Sequence, residues 1–276
     1  MSAATLAFHI LTRMNSTIET EFDASSRVVL VTGGSKGVGL GIAKGYLDAG
    51  YIVVICARHP PKTPVSVGGA IAEFISCDVK DIESVQAMMS HVIDRYGRLD
   101  ILINNAGGSP SAAAATASPR FHESIIRLNL LAPLNLAQAA NELMQKARGG
   151  VIVFIGSISG MRSSPGTAAY GSAKAAVINL VGTLAVEWAP KVRVVCISPG
   201  LVETEQSSLH YGDEKGVAAV AATIPAGRLA QPDDIAQACL YASSQSASYL
   251  SGSNILLHGG GEKPLFLSAA TVNKKL

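Results

Sequence analysis

The stretch that decides the fold is Val28-Val29-Leu30-Val31-Thr32-Gly33-Gly34-Ser35-Lys36-Gly37-Val38-Gly39. Its leading apolar residues are mostly β-branched and predict a short buried strand. A glycine-rich turn follows, and apolar residues then recur at helical spacing up to Gly50. Strand, glycine turn and helix in this order predict a site for a dinucleotide pyrophosphate, because glycines let the backbone approach phosphates and the helix N-terminus offers unpaired N–H groups. Glycine clusters also serve ordinary tight turns, so the placement between strand and helix carries the prediction.

Length and composition predict one α/β domain. The chain has 276 residues, of which 48% are hydrophobic and only 5% aromatic, as in a buried parallel sheet covered by helices. The formal net charge of +2 is too small to indicate nucleic acid or an anionic membrane as a partner. The four cysteines are scattered without metal-ligand spacing, which favours buried reduced thiols, a cytoplasmic protein and no metal site.

Strand and helix patterns alternate along the rest of the chain. Further strands are predicted at 52–57, 72–77, 99–103, 151–155, 192–197 and 253–258, and helices at 82–96, 119–146, 170–188 and 232–244. This alternation predicts a Rossmann-like, doubly wound parallel sheet of about seven strands with helices on both faces. Pro133 is expected to kink or divide the long helix. The prolines after Arg58 are expected to abbreviate the connection to the third strand.

The predicted organisation is a single catalytic domain over 27–261. Residues 1–26 lack periodicity and are expected to form a flexible extension rather than a secretory signal, because no basic residue precedes their apolar part. Residues 201–227 interrupt the alternation after a strand end, which is typical of a lid. The C-terminal tail, 262–276, is expected to pack either on its own subunit or on a neighbouring one.

Four polar residues supply the chemistry of carbonyl–alcohol redox. Tyr170 and Lys174 lie four residues apart on a predicted helix and share a face, Ser157 follows a strand, and Asn129 lies in the long helix. Each has an ordinary explanation alone, as a surface neighbour or a helix cap. Together they offer a phenol to move the alcohol proton, an ammonium to favour its phenolate, and a hydroxyl where charge develops on the substrate oxygen.

With these pieces in order, the chain resembles the short-chain dehydrogenase/reductase family over roughly residues 27–260. The matching pieces are 32–39 with its Gly-x-x-x-Gly-x-Gly spacing, Asn104-Asn105-Ala106-Gly107, Asn129, Ser157, Tyr170-Gly171-Ser172-Ala173-Lys174 and Pro199-Gly200. The resemblance implies that Tyr170 is the general acid/base and that Lys174 lowers its pKa and binds the nicotinamide ribose. It also implies that Ser157 polarises the carbonyl and that Asn129 positions a water in a proton relay. The implied cofactor contacts are Gly33, Ser35, Lys36, Gly37, Val38, Gly39, Arg58, Asp78, Val79, Asn105, Ala106, Gly107, Tyr170, Lys174, Pro199, Gly200, Val202 and Thr204.

The choice of cofactor follows from charge at the end of the second predicted strand. NAD-selective relatives place an acidic residue there to accept from both ribose hydroxyls. This chain has Ala57 at that position, followed by Arg58, and Lys36 lies in the glycine turn. Cations at both places favour a 2′-phosphate through charge-assisted hydrogen bonds, although either could instead face solvent. The sequence therefore predicts NADP(H).

The predicted activity is interconversion of a secondary alcohol and a ketone, or of a primary alcohol and an aldehyde, by an NADP(H)-dependent alcohol dehydrogenase or carbonyl reductase. Apolar residues around the predicted lid favour a small to medium, moderately apolar substrate: Met161, Leu209, Tyr211, Val217, Val220 and Ile224. An NADP-linked dehydratase or epimerase on the same fold, and a non-catalytic NADP(H)-sensing regulator, are the alternatives. The resemblance also implies a homo-oligomer, tetramer or dimer, formed through the helices that carry Asn129 and Tyr170.

Overall fold

The computed structural model describes residues 27–205, 207–264, 266 and 269, without the side chains of 209 and 210. Its strands are β1 (Val28–Thr32), β2 (Ile52–Ala57), β3 (Ser66–Val67), β4 (Ala70–Ile71), β5 (Glu73–Ser76), β6 (Ile101–Asn104), β7 (Gly150–Ile155), β8 (Val192–Pro199) and β9 (Asn254–Leu257). Seven of them form one sheet in the order β5-β2-β1-β6-β7-β8-β9, and every pairing in it is parallel. The predicted doubly wound fold is therefore confirmed.

The helices cover both faces of this sheet. They are α1 (Gly37–Asp48), α2 (Ile82–Tyr96), α3 (Pro119–Ile126), α4 (Ala132–Lys146), α5 (Ala168–Trp188), α6 (Ser207–Tyr211), α7 (Glu214–Thr223) and α8 (Pro232–Ser243). The long helix predicted over 119–146 is divided, because a π-helical turn at Arg127–Leu131 separates α3 from α4. Pro133 explains the break, since it has no N–H to donate to the carbonyl of Asn129 one turn earlier.

The core lies on both faces of the central strand β1, all five residues of which are buried. Val28 and Leu30 pack into the cluster beneath α2, α4 and α5, whereas Val29 and Val31 pack into the cluster beneath α1 and α8. This alternation follows from the two-residue period of a strand, and burial on both faces explains the continuous apolar run.

The connection from β2 to β5 is abbreviated, as predicted, but it contains a small hairpin that the sequence analysis missed. Strands β3 and β4 pair antiparallel, with Val67 opposite Ala70. Gly68 and Gly69 have φ angles of 57° and 90°, the left-handed values that a two-residue hairpin turn requires. Val65 is buried at the base of the hairpin and accepts a hydrogen bond from the N–H of Ala72 at 2.9 Å.

The segment predicted as a lid, 201–227, contains the two short helices α6 and α7. Its end packs on the turn after β9, where the N–H of Ala226 donates to the carbonyl of Gly259 at 2.9 Å. Among the described residues, one helix, α5, is long and apolar enough to cross a membrane by length and composition alone. Core helices of globular domains pass the same test, and Val177 and Val181 of α5 are buried in the core of this domain.

Candidate active site

A cleft of about 1190 Å³ opens along the carboxyl ends of β1, β2, β6, β7 and β8. Loops at this edge of a parallel sheet carry functional groups because the strands hold them in fixed positions. All but one of the predicted site residues line the cleft: Gly33, Ser35, Lys36, Gly37, Val38, Gly39, Arg58, Asp78, Val79, Asn105, Ala106, Gly107, Ser157, Tyr170, Lys174, Pro199, Gly200, Val202 and Thr204. Asn129 is the exception.

The glycine turn forms a cradle whose walls are backbone atoms without side chains. Gly33 and Gly37 have φ angles of 67° and 55°, and α1 starts at Gly37 without a side-chain cap. A Cβ built at Gly39 would lie 2.3 Å from the carbonyl oxygen of Gly33 and 2.5 Å from Nδ2 of Asn105. Only glycine fits at that position, and the uncapped N–H groups of the first helical turn face the cleft as donors for an anion.

Thr32, which the sequence analysis did not assign to the site, joins the cradle to the end of β6. Its Oγ1 accepts from the N–H groups of Asn105 and Ala106, each at 3.0 Å. Nδ2 of Asn105 donates to the carbonyl of Thr32 at 2.8 Å. These bonds fix the two neighbouring strand ends against each other. The sequence could have indicated this role, because a threonine at the end of a buried strand, directly before the glycines, needs a hydrogen-bond partner.

Tyr170 lies in the first turn of α5 with its hydroxyl against that of Ser157. Burial raises the pKa of the Tyr170 phenol above its usual value of 10.0, and the hydrogen bond with Ser157 opposes that rise only in part. Ser157 follows β7 and caps a 3-10 turn, where its Oγ accepts from the N–H of Ser159 at 3.1 Å. The tyrosine is therefore a neutral phenol, beside a hydroxyl that can bond the same substrate oxygen.

Lys174 lies one turn further along α5 and is fully enclosed. Its Nζ donates to the carbonyl of Ile155 at 2.7 Å and lies 5.6 Å from the ring centroid of Tyr170. Burial lowers the pKa of the ammonium to about 8. In this arrangement the ammonium is bonded to a backbone carbonyl rather than to the phenol, and burial is the largest influence on the pKa of Tyr170.

Asn129 lies in the π-helical turn and is completely buried. Its Nδ2 donates to the carbonyls of Ile125 and Gly108, both at 3.0 Å, and its Oδ1 accepts from the N–H of Gly108 at 3.2 Å. The side chain therefore holds the loop after β6 from the side of that loop that faces away from the cleft, which explains why Asn129 does not line the cleft.

The end of the cleft beside β2 is rich in unpaired positive charge. Ala57 is the last residue of β2, so no carboxylate stands at that position, and Arg58 follows it in the cleft wall. Over residues 27–205 and 207–264, no carboxylate lies within ion-pair distance of Lys36 or Arg58. Both side chains are exposed at the cleft and able to bind an anion.

Several lining residues were not predicted from the sequence. Ile155 is the last residue of β7 and Gly156 follows it, and their position at a strand end could have identified them. The segment from His59 to Ser66 lines the outer wall, which the sequence analysis left unassigned. Within the lid segment, Ile224 is buried and its Cγ2 would meet a Cβ at Gly259 at 3.0 Å. Ile224 is therefore covered by the chain itself and is not one of the residues that line this cleft. The side chain of Leu209 lies outside the described residues.

No group of three or more His, Cys, Asp or Glu side chains that could hold a metal occurs within the described part of the chain. The donor set suits a dinucleotide instead. A bare-backbone cradle at a helix N-terminus fits a pyrophosphate, and the groups at Lys174 and Tyr170 lie beyond it along the same cleft.

The chain is similar to known dehydrogenases and reductases, in agreement with a dinucleotide site. A family described as enoyl-(acyl carrier protein) reductase matches residues 33–262. The 3-oxoacyl-(acyl-carrier-protein) reductase of Chlamydia trachomatis is 33% identical over 247 residues, 85% of this chain and 97% of that protein. L-fucose dehydrogenase of Oryctolagus cuniculus is 34% identical over 251 residues, covering 86% of each chain.

The fold is also similar to that of a solved dehydrogenase. The ligand-free aldohexose dehydrogenase of Thermoplasma acidophilum superposes with a TM-score of 0.80 at 28% identity, covering 92% of this chain and 99% of that one. The chain belongs to the short-chain dehydrogenase/reductase family. It is an oxidoreductase of this family, which uses a nicotinamide cofactor.

Proposed function

We propose that the protein is an NADP(H)-dependent oxidoreductase that interconverts a secondary alcohol and a ketone, or a primary alcohol and an aldehyde. The observation that carries the choice of NADP(H) is the charge at the end of β2. Lys36 and Arg58 face the cleft without carboxylate partners among the described residues, and Ala57 stands where an acidic residue would bind a free ribose 2′-hydroxyl. A phosphate monoester at that position would gain two charge-assisted bonds.

Tyr170 is the proposed general acid/base. Its raised pKa keeps the hydroxyl protonated, so in the direction of reduction it donates its proton to the carbonyl oxygen as charge develops there. Ser157 bonds the same oxygen and stabilises that charge. In the direction of oxidation Tyr170 first loses its own proton through the relay proposed below, and its phenolate then accepts the alcohol proton while Ser157 keeps its hydrogen bond to the same oxygen.

Lys174 and Asn129 are proposed to support this proton transfer. The Lys174 ammonium would bond the nicotinamide ribose and stabilise the phenolate of Tyr170. Asn129 holds the loop at Gly108 and would position a water in the relay to Lys174. The nicotinamide supplies or accepts the hydride when bound. The cradle from Gly33 to Gly39 would hold its pyrophosphate.

The proposed substrate is small to medium in size and moderately apolar. Met161 is about half exposed, and Tyr211, Val217 and Val220 of the lid segment are partly exposed, so the lid segment and Met161 offer apolar surface for such a substrate. The relatives include an L-fucose dehydrogenase and a 3-oxoacyl-(acyl-carrier-protein) reductase. Both classes therefore belong in the substrate panel.

The test is turnover of a panel of ketones, aldehydes, secondary alcohols, sugars and 3-oxoacyl thioesters with NADP(H) and with NAD(H). Tyr170→Phe is expected to lose about a thousandfold or more in kcat, and Tyr241→Phe, on the surface of α8, serves as the matched control. Arg58→Asp is expected to shift the preference toward NAD(H). Equal use of both cofactors by the unchanged protein would overturn the choice of NADP(H).

The same assay separates the two alternatives. Tight NADPH binding without turnover of any substrate would favour a sensing regulator. A product that has lost water, or inverted a stereocentre, without net oxidation would favour a dehydratase or epimerase. A sensor would have little need for Asn129, Ser157, Tyr170 and Lys174 to be present together, which supports the catalytic proposal.

We also propose a cytoplasmic homo-oligomer, tetramer or dimer, without nucleic-acid or membrane partners. The outer face of α5 supports an interface, because Val186 on it is 81% exposed. The four buried, unpaired cysteines fit a reducing compartment. Light scattering of the purified protein measures its mass, and a monomer at micromolar concentration would contradict the assembly.

A further inference from the structure

The turn that carries Ser157 is braced by side chains of the neighbouring strands β8 and β9. This turn, residues 156–161, follows β7 and is named here the serine turn. At its first residue, the N–H of Gly156 donates to the carbonyl of Ile197 in β8 at 2.7 Å. A Cβ built at Gly156 would lie 2.4 Å from Oγ of Ser198, and Ser198 is completely buried. The Ser198 hydroxyl therefore lies directly against the backbone that precedes Ser157.

The Ser198 hydroxyl is also bonded to Asn254, at the start of β9. Oγ of Ser198 donates to Oδ1 of Asn254 at 2.8 Å, and Nδ2 of Asn254 donates to Sδ of Met161 at 3.4 Å. Met161 is the last residue of the serine turn. One pair of side chains, which we name the Ser198–Asn254 bridge, therefore contacts the turn at both of its ends.

The direction of the hydrogen bonds in this bridge follows from side-chain chemistry. A thioether sulfur only accepts, so the amide of Asn254 must present Nδ2 to Met161 and Oδ1 to Ser198. Because an amide oxygen also only accepts, the Ser198 hydroxyl must be the donor to it. The bridge therefore needs a hydroxyl on β8 and an amide on β9, and the loss of either group breaks it.

Ser157 lies between the two braced ends, with its hydroxyl against that of Tyr170. Hydrogen bonds inside the turn, such as that from the N–H of Ser159 to Oγ of Ser157 at 3.1 Å, fix its shape but not its position. One side of the turn packs on α5, where a Cβ at Gly160 would lie 2.7 Å from the backbone of Lys174. The Ser198–Asn254 bridge supplies side-chain contacts that fix the turn relative to the ends of β8 and β9.

We infer that Ser198 and Asn254 are positioning residues for the proposed reaction, because their bridge holds the Ser157 hydroxyl where it meets the substrate oxygen beside Tyr170. The inference rests on the proposed function and adds to it two residues that do not line the cleft. Reacting groups must be held within about 0.5 Å of their productive geometry, and a displacement of about 1 Å can cost about a hundredfold in rate. A turn that is fixed to the sheet at both ends meets this requirement.

The experiment breaks the bridge from either side in the full chain. Ser198→Ala removes the donor, and Asn254→Leu removes the amide with little change in side-chain volume. Each variant should raise amide hydrogen exchange over the serine turn of the ligand-free protein about tenfold, the effect of one lost hydrogen bond, as measured by mass spectrometry. Each should lower kcat about 10- to 100-fold and leave NADPH affinity unchanged. The double variant should resemble the single ones, because the two residues act as a unit.

The pH profile of kcat/KM for alcohol oxidation separates positioning from stability. Burial raises the pKa of Tyr170, and the hydrogen bond with Ser157 opposes that rise. A displaced Ser157 should therefore raise this pKa further and move the rise of kcat/KM to higher pH. Lys174, whose Nζ lies 5.6 Å from the Tyr170 ring centroid, is unchanged in both variants.

Ser243→Ala in α8 is the matched control for the loss of a buried serine hydroxyl. Oγ of Ser243 is bonded to the hydroxyl of Tyr46 at 2.7 Å, between α8 and α1. Its removal should lower stability but change neither the exchange of the serine turn nor the pH profile.

The outcomes separate this inference from the proposed function. Unchanged exchange and unchanged kcat in Ser198→Ala and Asn254→Leu would overturn the inference while the proposed function stands. An equal loss of kcat and of NADPH affinity, with the pH profile in place, would indicate a general loss of structure and would also overturn it. If the unchanged protein turns over no substrate, the proposed function fails. The exchange rates then decide alone whether the bridge holds the serine turn, and unchanged rates would overturn that as well.

Discussion

Gly39→Ala tests the idea that the phosphate cradle depends on a close backbone approach. The added Cβ would lie 2.3 Å from the carbonyl oxygen of Gly33 and 2.5 Å from Nδ2 of Asn105, so α1 and the turn must separate by about 1 Å to reach ordinary contact. Overpacking of this kind lowers the free energy of unfolding by about 1–3 kcal/mol. The higher helix propensity of alanine raises it by up to about 1 kcal/mol. The expected net loss of unfolding free energy is about 1–2 kcal/mol.

That loss corresponds to a fall in Tm of about 2–8 °C for a domain of this size. Displaced N–H groups should also weaken NADPH binding about tenfold, because hydrogen bonds fall off steeply with misalignment. Differential scanning fluorimetry and NADPH fluorescence titration measure the two effects. Gly182→Ala in α5 is the control for NADPH affinity, which should stay unchanged, since its Cβ would meet no atom of the chain within 4 Å; its Tm is not compared, because Gly182 shares a helix face with Val186, where an interface is proposed. A Gly39→Ala protein with unchanged Tm and unchanged NADPH affinity would refute the reasoning.

Three further predictions concern buried polar groups. Lys174→Met should raise the free energy of unfolding below pH 8 by up to about 3 kcal/mol, since burial lowers the pKa of Lys174 from 10.5 to about 8. The unfolded lysine keeps its proton to higher pH than the folded one, so the wild type gains stability as pH rises from 8 to 10.5. In thermal melts, the difference in Tm between the variant and the wild type should therefore shrink over this pH range. A constant difference would contradict the burial of a charge. Asn129→Ala should lower the free energy of unfolding by about 2–3 kcal/mol, because it leaves the backbone of Gly108 without its partner. It should also lower kcat by more than the loss of folded protein explains. A kcat equal to that of the wild type would contradict its positioning role. Tyr46→Phe deletes a buried hydroxyl 2.7 Å from Oγ of Ser243 and should cost about 1–2 kcal/mol in chemical denaturation while kcat/KM stays the same; a changed kcat/KM would link the contact between α1 and α8 to catalysis.

Much of the fold and of the candidate site could be predicted because it depends on local sequence. Apolar runs such as 28–31 identify strands buried on both faces, and the glycines after them identify the phosphate cradle. Tyr170 and Lys174 share a helix face by their spacing alone. Strand boundaries differed from prediction by one or two residues, because pairing with neighbours, rather than local preference, ends a strand.

The protonation states at the site could not be predicted, because they depend on what surrounds each group. The reference pKa of a tyrosine suggests that a lysine on the same face lowers it, but in the structure burial raises the pKa of Tyr170. Lys174 donates to the carbonyl of Ile155 instead, a partner nineteen residues away that only the packing of α5 against the sheet brings close. Similarly, Asn129 is directed at Gly108 by the π-helical turn and not into the cleft.

The sequence by itself determined the sheet, the cradle and the identity of the residues that would move the proton. These follow from residue period, glycine spacing and side-chain chemistry, all of which act over a few neighbouring positions. Only the tertiary structure decided that residues 58–65 close the outer wall of the cleft. Prolines exclude a regular helix there, but the course of the segment is set by the burial of Val65 beneath α1, a contact between parts of the chain that no local pattern records.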